Sequence, residues 1–138
     1  MDLIYSEPPS GKDPAFIEDQ LMEFNASRIK DYKYEQFVYK ITDETGAMIG
    51  GINCQTGGGW LYIEGLWISK DHRGERTGEK LLAEAEKKAI EKGCRHSYLF
   101  TYDFQAPGFY LKNGYTVFSK IENFFGEHAK LFLKKRLV

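Results

Sequence analysis

Residues 60–92 decide the fold: WLYIEGLWISKDHRGERTGEKLLAEAEKKAIEK. They read as a strand, a short basic loop containing glycines, and an amphipathic helix. Trp60 to Ile68 is rich in β-branched and aromatic side chains, which suit a pleated, half-buried surface. Gly65 interrupts that run, and a glycine inside a strand marks a bulge or a close backbone approach. After the loop Lys70 to Gly78, Leu81, Leu82, Ala85 and Ala89 recur at helical spacing with charges on the opposite face. Glu84 and Lys88 stand one turn apart, within pairing reach. Gly93 is placed to end the helix in the left-handed region.

This order points the first N–H groups of a helix at the loop. Those groups have no partner inside the helix and carry partial positive charge. Gly74 and Gly78 let an anion approach the backbone, and Arg73 and Arg76 add charge. Spacing alone leaves two readings open, a phosphate or pyrophosphate cradle and a solvated surface loop.

Outward from this stretch the chain alternates short elements. Residues 2–6 are a candidate strand stopped by Pro8 and Pro9. Asp13-Pro14 starts a helix, with Asp13 as cap and Pro14 at the first helical position. Ile17, Leu21 and Phe24 share a face of it, so it runs to about Ile29 and covers core with that face. Gln36–Thr42 and Ala47–Gln55 form a hairpin around the turn Asp43-Glu44-Thr45-Gly46, and Gly57-Gly58-Gly59 is a flexible link into the central strand. Beyond the central helix, His96–Asp103 is a strand and Gln105–Asn113 a short helix whose first turn accommodates Pro107. Tyr115–Ile121 and Ala129–Leu137 close the chain as strands joined by a loop, 122–128. The order β-α-β-β-β-α-β-α-β-β, an antiparallel meander before a parallel βαβ, predicts an α+β domain in three layers, α/β/α.

Bulk properties narrow the function. At 138 residues and 42% apolar, the chain is expected to form a single domain, 1–138, with a real core. A net charge of −1 argues against a general nucleic-acid or anionic-membrane binder. No stretch approaches the apolar length of a membrane span, and MDLIYSEPPSGKD lacks the pattern of a secretory leader. Cys54 and Cys94 have no metal-ligand spacing, so no metal is expected. They read as buried free thiols of a reducing cytoplasm.

Two motifs carry a resemblance. Arg73-Gly74-Glu75-Arg76-Thr77-Gly78 is similar to the Arg/Gln-x-x-Gly-x-Gly/Ala signature of the GNAT superfamily, the acyl-CoA-dependent N-acetyltransferases, with Arg76 in place of the first internal glycine. Leu66-Trp67-Ile68 resembles the strand end before that signature, and Phe109-Tyr110-Leu111-Lys112-Asn113-Gly114-Tyr115 the family's Tyr-x-x-x-Gly-Phe/Tyr element. The resemblance implies a GNAT-like mixed, mostly antiparallel central sheet with a splayed pair of parallel strands and flanking helices. It implies acetyl-CoA as cosubstrate, held by Leu66, Trp67, Ile68, Arg73, Gly74, Glu75, Arg76, Thr77, Gly78 and Glu79. It implies transfer of the acetyl group to the primary amine of a small molecule, and a homodimer, for which the aromatics Phe118, Phe124, Phe125 and Phe132 of the two last strands offer a surface.

Acetyl transfer from a thioester to an amine needs a proton acceptor, a donor to the developing oxyanion, a proton for the departing thiolate, and two substrates held together. By the resemblance Tyr110 is the proton donor to sulfur, and its other reading is an amphipathic core tyrosine. Glu64, two residues before Leu66, is the candidate base, and its other reading is a solvent-facing glutamate. His128 and Asp103 are weaker base candidates, and His72 reads as a surface residue of the cofactor loop. The amide of Trp67 or Ile68 would polarise the thioester carbonyl. Phe16, Phe24, Tyr32, Tyr34, Phe124 and Phe125 are either acceptor-pocket or core residues. A non-catalytic acyl-CoA-binding module is the alternative function, and a protein acetyltransferase a third.

Overall fold

The computed structural model describes residues 1–138, which form two compact units, Met1–Lys33 and Tyr34–Val138. In the first, helix α1 spans Asp13–Arg28. Asp13 is its first helical residue rather than its cap; Lys12 occupies the cap position and makes no side-chain capping bond. No residue of α1 is buried. The apolar residues are spread, since Phe16 and Met22 fall off the stripe of Ile17, Leu21 and Phe24. Residues 2–6 form no strand. Pro8 and Pro9 follow at once, and neither can donate to a sheet ladder.

The second unit is a six-stranded sheet in the order β1-β2-β3-β4-β6-β5. β1 (Glu35–Thr42) and β2 (Met48–Gly57) pair antiparallel around the expected turn. Asp43 fixes that turn, its Oδ1 accepting the N–H of Thr45 at 2.8 Å and of Ala47 at 3.1 Å. β2 and β3 (Trp60–Ile68) are joined by two residues, Gly58 and Gly59, with φ of 62° and 86°. The expected flexible link is therefore a tight hairpin of the kind that needs positive φ at both central positions.

Helix α2 (Thr77–Glu91) carries the chain from β3 across to β4 (His96–Tyr102), which lies parallel to β3. The face read from the sequence is the buried one: Leu81, Leu82, Ala85 and Ala89 pack on Ile52, Cys54, Leu61, Ile63, Leu99 and Leu133. Gly93 ends the helix at φ 94°, its N–H on the Ile90 carbonyl at 2.9 Å and that of Cys94 on the Ala89 carbonyl at 2.9 Å. Lys88 pairs with Glu91 at 2.9 Å, not with Glu84. Both cysteines are free and buried, as expected.

α3 (Pro107–Lys112) leads into β5 (Thr116–Phe124), the sheet's edge strand, and β6 (His128–Arg136), which pairs antiparallel with both β5 and β4. The last two strands run further than expected, leaving only Phe125, Gly126 and Glu127 in the turn. A register shift in β5 before Phe124, with Asn123 at φ 59°, takes up the extra length. The result is the mixed, mostly antiparallel α+β sheet expected from the sequence. No helix is long and apolar enough to cross a membrane.

Candidate active site

The site begins with one residue too many in β3. Asn53 of β2 faces Gly65, but Cys54 faces Ile63, so Glu64 is a bulged extra residue. The parallel ladder with β4 runs from Trp60↔His96 to Ile63↔Leu99 and stops there, while β3 continues to Ile68 and β4 to Tyr102. The two strands thus separate at the bulge. Leu66 and Ile68 still pair with Ile52 and Gly50 on the β2 side, which leaves the opposite backbone edge of that segment without a strand.

A cleft of about 850 Å³ opens beside this edge. Leu66, Trp67 and Ile68 form one wall, the loop from His72 to Glu79 the floor, and Gln105, Ala106, Phe109, Tyr110, Lys112 and Asn113 the other wall. Of the residues expected to hold the cofactor, all but Glu75 are in the lining. His72, Lys112 and Gln105 were not assigned to it from sequence. His72 belongs there because a short 3-10 turn, Lys70–His72, folds the loop back, and its Nδ1 lies 2.8 Å from the Ser69 hydroxyl.

The floor is built to receive an anion. The first hydrogen bond inside α2 runs from the Lys80 N–H to the Arg76 carbonyl at 3.1 Å, and no side chain caps the helix. The N–H groups of Thr77, Gly78 and Glu79 are therefore open donors at the positive end of the helix. A Cβ on Gly78 would lie 3.4 Å from two ring carbons of Phe109, so the cleft is narrow at that point. Arg73 donates from Nε to the Ile68 carbonyl at 3.0 Å and so ties the loop to the end of β3. Arg76, standing where the signature has glycine, adopts φ 59°, the backbone a glycine would take there without strain.

Tyr110 is placed by α3. Pro107 fits its first turn, and Asn113 closes it with Nδ2 donating to the Phe109 carbonyl at 2.8 Å. The Tyr110 ring is 8% exposed and packs edge-on against Phe109 and Tyr115. Burial, then the neighbouring Cys54 thiol, pushes its pKa up to about 12. The phenol therefore keeps its proton at neutral pH, at a place in the cleft wall.

Glu64 is exposed, its carboxylate accepting from Asn53 Nδ2 at 3.3 Å, while Asn53 Oδ1 accepts from Gln36 Nε2 at 2.9 Å. It sits at the bulge where β3 and β4 part, but outside the cleft wall, and makes no contact with Tyr110. Asp103 and His128, far apart in sequence, are brought together, with Oδ1 and Nδ1 3.0 Å apart.

Comparison with known proteins agrees with this geometry. The sequence pattern of the acetyltransferase (GNAT) family matches residues 3–115. The chain is 39% identical over 82 residues to a blasticidin-S acetyltransferase of Streptomyces morookaense, a match spanning 59% of this chain and 60% of that relative's length. It is 26% identical over 136 residues to an acetyltransferase of Agrobacterium fabrum, covering 99% of both chains. The crystal structure of an acetyltransferase from Bacillus cereus superposes with a TM-score of 0.87 at 30% identity, over 98% of this chain and 97% of that one. By sequence pattern and by fold, this chain belongs to the acetyltransferase (GNAT) family.

Proposed function

We propose that residues 1–138 act as one acyl-CoA N-acyltransferase domain that moves an acetyl group from acetyl-CoA to a primary amine of a small molecule, by direct attack while both are bound. One observation carries the reading: the open β3 edge at Leu66–Ile68 leads straight to an uncapped helix start flanked by Arg73 and Arg76. An amide-bearing arm can add to that edge like a strand, and a pyrophosphate can take the free N–H groups at its end. The absence of a side chain at Gly78 and the open donors support this reading.

When bound, acetyl-CoA supplies an activated acyl carbon and a thiolate leaving group. The residues do the rest. The amide of Ile68 on the open edge donates to the oxygen as it gains charge, whereas that of Trp67 faces Gly51 of β2. Tyr110 donates its phenolic proton to the departing sulfur. Glu64 takes a proton from the attacking nitrogen through water, which its position outside the wall requires. The cleft holds the two reactants together, a contribution that reaches roughly 7–11 kcal/mol in good cases.

The exposed edge strand β5, with Phe118 half exposed, supports pairing of two copies, and light scattering at micromolar concentration tests it: a monomer mass overturns the homodimer. The two buried free thiols support a reducing, cytoplasmic setting. The displaced glycine at Arg76 favours the second reading, a binding module without turnover. A thiol-release assay over a panel of amines, beside a direct titration with coenzyme A, separates the two. Binding with release supports the enzyme, binding without release supports the module, and no binding overturns both.

A further inference from the structure

Asp103 and His128 have no part in the machinery described above. Asp103 follows β4, and His128 opens β6. Asp103 is fixed from both sides: its N–H donates to the Ala129 carbonyl at 3.0 Å, and its Oδ2 accepts the Ala129 N–H at 3.0 Å. Its Oδ1 faces Nδ1 of His128 at 3.0 Å. A carboxylate only accepts, so Nδ1 donates to it, and a ring without a second proton has its lone pair at Nε2. Phe104 holds the imidazole edge-on, with centroids 4.8 Å apart. Nε2 has no protein partner, and the side chain is 49% exposed.

The pair lies at the right end of the sheet. β3 and β4 run parallel, so Asp103 lies at the same sheet end as Leu66–Ile68. Gln105, two residues past Asp103, is cleft wall with Ala106, and its Oε1 accepts the Tyr102 N–H at 2.8 Å and the Thr101 hydroxyl at 3.0 Å. Lys130, two residues along β6, places its ammonium over the Phe100 ring at 3.9 Å and the Phe124 ring at 5.4 Å.

We propose that His128 is the catalytic base that converts the bound acceptor from ammonium to amine, with Asp103 as its positioning residue. The inference rests on the transferase reading above. An alkylammonium, with a pKa near ~10.4, is mostly protonated at neutral pH and has no lone pair to attack with. One N–H bond of the ammonium breaks, the proton passes through water to Nε2 of His128, which like Glu64 lies outside the cleft wall, and the electron pair stays on nitrogen. Asp103 stabilises the imidazolium, and the exposed ring passes the proton to water. The nitrogen's second proton leaves through the water at Glu64 as the C–N bond forms and the C–S bond breaks, and Tyr110 protonates the thiolate. Tyr110 regains its proton from the water at Glu64, so that one amide, one thiol and one solvent proton result.

The test uses phenethylamine, protonated at pH 7, and O-benzylhydroxylamine of similar length, neutral at pH 7, as acceptors from about pH 6 to about pH 10. His128→Gln is expected to lower kcat/KM for phenethylamine at pH 7 by ~100-fold, with recovery toward wild type at the alkaline end. With O-benzylhydroxylamine it stays within about two-fold of wild type, because no ammonium needs deprotonation. Asp103→Asn gives the same pattern at about ten-fold, and added imidazole restores part of the activity of His128→Ala. An equal loss with both amines at every pH, or no loss with either, overturns the assignment. Absence of thiol release by the wild type with every amine overturns the transferase reading itself, a separate outcome.

Discussion

Tyr110 and Tyr115 are five positions apart, both buried, with rings 5.8 Å apart at 76°. Their hydroxyls have opposite fates. The Tyr115 oxygen lies 2.7 Å from the buried Ser97 hydroxyl and donates to Glu86 at 2.9 Å, and Lys135 holds that carboxylate at 2.9 and 3.0 Å. Tyr110 lies in the cleft wall, and its hydroxyl takes no partner from the protein. Burial raises both pKa values, with Glu86 adding to the rise at Tyr115. Burial and a raised pKa therefore do not mark a catalytic tyrosine. What distinguishes Tyr110, the proposed proton donor, is a place in the cleft wall with no hydrogen bond from the protein, while its neighbour's hydroxyl is locked between helix α2 and strands β4 and β6.

The sharpest way to separate the two sides is to damage the cleft alone. Gly78→Asp puts a side chain against Phe109 and a negative charge among the open N–H groups, and is expected to weaken coenzyme A binding by ~100-fold or more in calorimetry while the melting temperature holds. Unchanged affinity would break the cradle assignment. On the other side, Tyr115→Phe leaves the Ser97 hydroxyl, 0% exposed, without its partner, and is expected to cost about 1–3 kcal/mol in urea unfolding with turnover unchanged. A slowed turnover without a stability loss would exchange the two roles.

Alkaline titration probes both rings together. The folded state holds Tyr110 up to about 12 against an ordinary 10.0, so ionisation favours the unfolded chain. The contribution is complete below pH 10 and is lost as pH rises toward 12. Urea midpoints are expected to fall over that window, and less steeply in Tyr110→Phe. Equal slopes would place the phenol in a wetter setting than the cleft wall. The smallest effect is at the loop: Arg76→Gly removes a left-handed non-glycine residue and is expected to add up to about 1 kcal/mol of stability while weakening coenzyme A binding several-fold. Tighter binding would show that the backbone, not the guanidinium, matters at that position.

How much of this was legible in the sequence depends on distance along the chain. The strand-loop-helix of 60–92 was, because Leu81, Leu82, Ala85 and Ala89 announce the buried face locally and Gly93 its end. Gly65 announced the bulge, although Glu64 is the residue in excess, whereas the parting of the strands was implied by the family resemblance alone. The Gly58-Gly59 hairpin was missed because three consecutive glycines look slack, whereas the flanking register makes the turn tight. Residues 2–6 had strand composition but no partner, and a strand is made by pairing. The contacts of Tyr115 with Glu86 and of Asp103 with His128 span 29 and 25 positions. They depend on how α2, β4 and β6 come together, which no local pattern encodes.

We propose that Tyr110 hands a proton to the leaving sulfur of acetyl-CoA in the cleft beside β3. Rapid-quench single-turnover transfer by Tyr110→Phe, with acetyl-CoA affinity measured in parallel, tests it most directly. The account predicts a rate constant lower by ~100-fold with binding unchanged. An unaltered single-turnover rate constant, with chemistry shown to limit it, would contradict the claim and return Tyr110 to packing.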